Sequence, residues 1–308
     1  MHPKYWGIWF FAVILRLLVY LPVWLQFSIG AALGWLFYHL VPGRRSVTQT
    51  NIRLCFPKLS KQEQADLVKG IYRNTGIGLF ETLIAWYRPK LLQGTLSVEG
   101  EAGLLAAIGL NRGVLIVGGH YTALELAVNL SHPFVQAAGV YRPQNNPLLE
   151  LLISHGRSTN FVDQIPARDI RKCIRHLNSG GQIWYTPDQD MGLKFGVMSE
   201  FFGVSAATLT AHRRIASISK CEVLMAHFCR TKEASFLSPK PSYQMTFTPV
   251  LKDYPSKDEA VDAKRSNQML ESLISLAPDQ YMWFHKRFKT QPDRPNPYKD
   301  PDFDAMQP

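Results

Sequence analysis

One histidine stands where a buried strand gives way to a helix. His120 opens the run His120-Tyr-Thr-Ala-Leu-Glu125, directly after Val114-Leu-Ile-Val117 and the pair Gly118-Gly119. An apolar run bounded by Gly113 and Gly118 reads as a buried strand, and Ala123-Leu-Glu-Leu-Ala-Val128 reads as a helix. The junction between them is where α/β sheets place their chemistry. A histidine there is suited to act as a base near neutral pH, and a carboxylate close by can hold its ring and stabilise the imidazolium. Glu125 is the nearest candidate. Five residues apart, the two would lie on different faces of a continuous helix, so the pairing needs His120 before the first turn and Glu125 reaching back to it. Spacing alone leaves a purely structural histidine open. Gly118 and Gly119 add the expectation that a substrate approaches closely beside the ring.

Two further strand ends carry polar groups. Gly139-Val-Tyr-Arg-Pro143 should bring Arg142 to the same edge as His120, where a guanidinium suits a phosphate or carboxylate. An ordinary ion pair would explain it equally. Pro187-Asp-Gln-Asp190 closes a third strand, where Asp188 and Asp190 are expected to orient Arg142 or position a substrate hydroxyl. A plain turn would use the same residues. Basic residues crowd at Arg168, Arg171, Lys172 and Arg175, at Arg213 and Arg214, and at Lys286, Arg287 and Lys289. With a formal charge of +10, they point to anionic partners. No G-x-S-x-G elbow, Walker loop, G-x-G-x-x-G or H-E-x-x-H occurs. The four cysteines show no C-x-x-C, so reduced thiols are expected and neither a metal nor a cofactor is.

The elements that must position these groups alternate. Ser60-Lys-Gln-Glu63 is a capping box opening a helix to about Trp86. Strands are expected at 96–98, 114–117, 135–141, 182–185, 222–227 and 244–250. Helices are expected at 101–110, 123–128, 147–155, 168–177 and 208–220, and another from the box Ser256-Lys-Asp-Glu259 to about Leu276. This alternation predicts an α/β fold, a mixed but mostly parallel sheet flanked by helices. The tail from Gln291 carries five prolines and is expected to be extended or poorly ordered.

The first forty residues differ from the rest. From Tyr5 to Leu40 the only formal charge is Arg16, and Trp6, Trp9, Tyr20, Trp24, Trp35 and Tyr38 supply interfacial aromatics. The run from Leu17 to Leu40 suffices for a bilayer about 30 Å thick, although Pro22 can split it into two shorter helices. One crossing and a monotopic hairpin both remain open. Arg44, Arg45 and Arg53 follow closely and favour a cytoplasmic main body. The expected organisation is an anchor over 1–42, a catalytic α/β domain over 43–290 and a tail over 291–308.

Taken together, these blocks resemble the late acyltransferases of lipid A biosynthesis, the lauroyl-transferase type within the lysophospholipid acyltransferase superfamily. His2-Pro-Lys-Tyr-Trp6 and Leu54-Cys-Phe-Pro57 match the lead-in and the segment after the anchor. His120 and Glu125 fall on the H-x4-D/E motif in its glutamate variant. Gly139-Val-Tyr-Arg-Pro143 with Asn146-Pro-Leu-Leu149, Pro187-Asp-Gln-Asp190 with Phe201-Phe-Gly203, and Tyr281-Met-Trp283 with Arg287-Phe-Lys-Thr290 follow in order. The resemblance implies a glycerol-phosphate-acyltransferase-like fold at the bacterial inner membrane, with its catalytic domain on the cytoplasmic side. It implies transfer of an acyl chain, lauroyl by subgroup, from acyl carrier protein to a hydroxyl on a 3-hydroxyacyl chain of Kdo2-lipid IVA. His120 would be the base and Glu125 its orienter. Arg142, Asp188, Asp190, Gly118 and Gly119 would meet the substrate, and nucleic acid is not an expected partner. A lysophospholipid or glycolipid acceptor, myristoyl or palmitoleoyl as the donor chain, a thioesterase and a non-enzymatic lipid or carrier-protein binder are the competing readings.

Overall fold

A computed structural model describes residues 3–300 and 303. Four helices come first: α1 (Trp6–Leu18), α2 (Val23–Leu40), α3 (Pro42–Cys55) and α4 (Lys61–Tyr87). The long apolar run is therefore two helices, because Pro22 cannot continue the first and caps the second instead. α4 starts where the sequence places it. The Ser60 hydroxyl accepts from the Glu63 N–H at 3.2 Å, and the Glu63 carboxylate accepts from the Ser60 N–H at 2.7 Å.

The α/β body then follows as β1 (Leu96–Glu99), α5 (Glu101–Gly109), β2 (Val114–Gly118), α6 (Leu124–Ser131), β3 (Ala137–Tyr141), α7 (Pro147–Arg157) and β4 (Gln164–Pro166). It continues through α8 (Ile170–Asn178), β5 (Gln182–Tyr185), β6 (Gly196–Phe201), β7 (Val204–Leu209), α9 (Ala211–Ser219), β8 (Glu222–Lys232), β9 (Ser242–Phe247) and α10 (Glu259–Ile274). Seven strands form one sheet in the order β1-β9-β8-β2-β5-β3-β4. Only β8 and β9 pair antiparallel, so the sheet is mixed and mostly parallel. β2 lies near the middle and is buried throughout. Leu115 and Val117 face one hydrophobic core with α8, α9 and α10, whereas Val114 and Ile116 face a second with α5 and α6.

Several expectations change. β6 and β7 form a separate antiparallel hairpin, so Thr208 belongs to a strand and the helix expected from it begins at Ala211. β4 was not foreseen. Asp258, not Ser256, caps α10, accepting from the Ala260 and Val261 N–H groups. The expected tail beyond residue 300, apart from Phe303, lies outside the described residues; its described part is irregular, yet it folds back: Phe303 is buried, the Phe303 carbonyl accepts from Arg53, and Tyr298 hydrogen-bonds to Asn51 on α3.

One buried ion pair ties α4 to the sheet beneath the candidate site. The Arg230 guanidinium on β8 meets Glu81 on α4 at 2.5 Å, and the Tyr243 hydroxyl from β9 donates to the same carboxylate oxygen at 2.8 Å. The Gln280 side chain bonds both ways to the Arg230 backbone, so the pair also fixes the segment entering Tyr281. Removing one member of a buried pair strands the other. Glu81→Ala is expected to cost about 3–5 kcal/mol, whereas Arg73→Ala, which breaks an exposed pair with Glu233, should cost no more than about 1 kcal/mol. Denaturant unfolding of the two variants in detergent checks the contrast.

Candidate active site

The sheet register brings two strand ends together. β2 and β5 run side by side and parallel, with Val117 opposite Tyr185. Three residues beyond that pair the chain reaches His120 on one strand and Asp188 on the other. The Asp188 carboxylate accepts from the His120 backbone N–H at 2.8 Å and lies 2.5 Å from His120 Nδ1. The Tyr281 hydroxyl donates to it at 2.7 Å. The C-terminal segment makes this possible by lying antiparallel along the residues after β2. Met282 N–H donates to the His120 carbonyl, Tyr121 bridges Tyr281, and Thr122 N–H donates to the Gln280 carbonyl. From α3, the Asn51 amide holds the carbonyls of Trp283 and His285, both at 2.8 Å.

The electrostatics follow from burial. Asp188 is only 3% exposed. Burial would raise its pKa, but the His120 charge and the hydrogen bonds it accepts hold it well below the usual carboxylate range. Burial likewise opposes charge on His120, yet the Asp188 carboxylate outweighs it and raises the histidine above its ordinary value. An ionised carboxylate only accepts, so in the neutral ring the imidazole proton sits on Nδ1 and Nε2 carries the accepting lone pair. Nε2 has Thr186 Oγ1 at 3.4 Å and the Gln189 amide nitrogen at 3.3 Å. The same amide reaches His285 Nε2 at 3.1 Å. Burial, then the neighbouring His120 charge, lowers the pKa of His285 and keeps that ring neutral. The Asp–His pair thus presents a proton acceptor with no serine or cysteine bonded to it, the one protein hydroxyl on Nε2 among the described residues being that of Thr186 at 3.4 Å. Such a site suits activation of a hydroxyl brought from outside.

The carboxylate on His120 is therefore Asp188, not Glu125. Glu125 is buried at the start of α6, where it accepts from Arg157 Nε at 2.7 Å and from Trp86 Nε1 at 3.1 Å. Asp190 does not touch Arg142 either. It accepts from the Gly192 and Thr290 N–H groups and from the Thr290 hydroxyl, which fixes the C-terminal segment. Arg142 is exposed just beyond β3. The space beside Gly118 and Gly119 is filled by protein: a Cβ on Gly119 would lie 2.9 Å from the Tyr281 ring, and one on Gly118 3.2 Å from the Ala226 carbonyl oxygen. Arg287 is buried as well, donating to the Ala207 carbonyl and the Thr208 hydroxyl, and so leaves the basic surface. Arg168, Arg171 and Arg175 stay exposed.

Four groups escaped the sequence reading in these roles. Tyr281, Gln189 and His285 join the site from loops remote in the chain. Arg157 ends α7, close enough for its charge to weigh on His120. The polar cluster after β5 and the Tyr281-Met-Trp283 block marked two of these segments, but nothing local marks β5 as the neighbour of β2.

Comparison with known proteins agrees with the sequence resemblance. The sequence model of the bacterial lipid A biosynthesis acyltransferases matches residues 1–290. The lipid A biosynthesis lauroyltransferase of Escherichia coli K12 is 33% identical over 295 residues, covering 95% of this chain and 94% of its own. The palmitoleoyltransferase of the same organism is 33% identical over 294 residues, with the same coverages. A lipid A biosynthesis acyltransferase of Haemophilus influenzae is 34% identical over 303 residues, covering 96% and 94%.

The site sets a pH dependence. A base at His120 would work deprotonated, and Asp188 raises its pKa, so turnover that depends on it should rise with pH through a limb above 6.5, the ordinary histidine value. Asp188→Asn removes the raising charge. It is expected to move that limb to lower pH and to lower the plateau by about 10³–10⁴-fold, because the ring loses its fixed tautomer. A kcat/KM profile from pH 5 to 9 for both proteins checks it; a limb that stays in place removes Asp188 from this role.

Proposed function

We propose that this chain, which belongs to the family of bacterial lipid A biosynthesis acyltransferases, moves a fatty acyl group from acyl carrier protein to Kdo2-lipid IVA. The acceptor is the hydroxyl of a 3-hydroxyacyl chain already on the disaccharide. Lauroyl is the proposed donor chain, and the proposed place is the cytoplasmic face of the bacterial inner membrane. The observation that carries the reading is the His120–Asp188 pair, whose Nε2 meets Thr186 and Gln189 at 3.3–3.4 Å with no serine or cysteine beside it.

In this mechanism His120 Nε2 takes the proton of the acceptor hydroxyl as the oxygen attacks the thioester carbonyl. The C–O bond forms and the carbonyl becomes a tetrahedral oxyanion. Its collapse breaks the C–S bond, and the imidazolium returns its proton to the departing thiolate. Asp188 stabilises the imidazolium while it lasts, and Tyr281 keeps that carboxylate aimed. Gln189 bonds to Nε2 in the resting site, so the acceptor hydroxyl must take its place, freeing an amide donor beside the developing charge. Glu125 acts through Arg157, holding a guanidinium near the base for the oxyanion or an acceptor phosphate. Exposed Arg142, Arg168, Arg171 and Arg175 suit the acidic carrier protein and the acceptor's anionic groups.

Mass spectrometry of the lipid product tests the reading. Detergent-purified protein is given Kdo2-lipid IVA and an equal mixture of C12, C14 and C16:1 acyl carrier proteins. The expected product is heavier by one lauroyl chain, and His120→Ala should lose at least about 10²-fold in rate. A different added mass would replace the donor assignment. Release of free fatty acid without lipid product would make the protein a thioesterase and overturn the proposal.

A further inference from the structure

Among the described residues, α2 is the one helix whose length and hydropathy suit a bilayer crossing. Its packing argues against that placement. α2 lies antiparallel on α4 with the two backbones in contact. A Cβ on Gly76 would stand 1.9 Å from the Gly30 carbonyl oxygen, and one on Gly34 would stand 2.2 Å from that of Tyr72. No lipid can enter between helices interlocked so closely, and α4 must go wherever α2 goes. Arg73 follows Tyr72, and its Cα lies 3.1 Å from the same Gly34 position. Its side chain pairs with Glu233 in the open, the two being 48% and 38% exposed.

Gly34 lies six residues inside the end of α2, or about 9 Å at 1.5 Å per residue. If α2 crossed the membrane, the exposed Arg73–Glu233 pair would sit that far inside the hydrocarbon. Insertion scales rank charged side chains among the costliest to place within the hydrocarbon. The helix before it offers no second crossing, since thirteen residues reach only about 20 Å.

The apolar surface nevertheless needs a partner. Trp6, Phe10, Phe11, Val13, Leu17 and Tyr20 are all exposed on and just after α1, and Trp35 and Leu36 on α2. The β8–β9 loop adds Phe236 and Leu237, which are 77% and 92% exposed. It joins the same region, because the Phe236 ring meets Trp24 of α2 edge-on at 5.8 Å. Beside the α1–α2 turn, Arg88 stacks on Tyr20 and donates to the Val19 carbonyl, while Arg16 lies over Tyr87. Aromatic rings with cations at their edges match the headgroup boundary of an anionic leaflet.

We infer that the N-terminal helices and the β8–β9 loop together form a monotopic anchor that enters one leaflet and does not cross it. The two chain ends then lie on the same side of the membrane. The inference rests on the membrane placement proposed above and not on the reaction, so failure of acyl transfer leaves it standing.

Protease accessibility tests it on the full chain carrying a cleavable hydrophilic tag at each end. Inverted inner-membrane vesicles should lose both tags, and intact spheroplasts neither. Cleavage of the two tags from opposite faces, or recovery of the chain in the soluble fraction, would overturn the anchor. The double variant Phe236→Asp, Leu237→Asp tests the loop. Its retention on phosphatidylethanolamine–phosphatidylglycerol vesicles should fall at least about fivefold with an unchanged melting temperature, since each side chain loses apolar burial. Undiminished retention would remove the loop from the anchor. A fall in melting temperature is separated by Phe236→Ser, which leaves the loop uncharged and should still weaken retention; if it does not, the loop assignment fails.

Discussion

A carboxylate almost shut off from water has to be satisfied by the protein, and at Asp188 that requirement joins three distant parts of the chain. One oxygen accepts the His120 backbone N–H and the Tyr281 hydroxyl, and the other faces the His120 ring. β2, β5 and the C-terminal segment must all be in register for those bonds to form. The charge would be costly if any donor were missing. Its burial therefore ties the geometry of the His120 ring to the fully assembled fold.

The supports beneath this group repeat the pattern. Gln280 is fixed by the Arg230 backbone, Arg230 by Glu81 on α4, and the Trp283 and His285 carbonyls by Asn51 on α3. A Cβ on Gly78 of α4 would lie 2.3 Å from the Thr122 carbonyl oxygen, so only glycine lets the turn after His120 settle against that helix. The N-terminal helices are part of the same construction, because α2 packs on α4. The inferred anchor and the candidate site share one helix.

Much of this was legible residue by residue. The Ser60 cap, the apolar run of β2 and the alternation of strands and helices are local signals, and the structure bears them out. His120 was legible for the same reason, as a polar group at the end of a buried strand. Its partner was not. Asp188 is 68 residues away, and only the placement of β5 beside β2 brings it near. Sequence proximity favoured Glu125, which a helix start turns instead toward Arg157 and Trp86. Likewise Arg287 carries charge in composition but is spent inside, on Ala207 and Thr208. Local patterns reveal what a residue can do, whereas its neighbours depend on strand order.

The contact between Asp188 and His120 Nδ1 places the ring proton between them, held by the carboxylate. Proton NMR of the micelle-bound protein, labelled with ¹⁵N-histidine, observes that proton directly. Hydrogen-bonded to a buried carboxylate, it should appear as a far-downfield ring N–H resonance that Asp188→Asn abolishes or shifts upfield and Glu125→Gln preserves. Loss of the resonance in Glu125→Gln, with Asp188→Asn unchanged, would contradict the account and restore Glu125 as the partner.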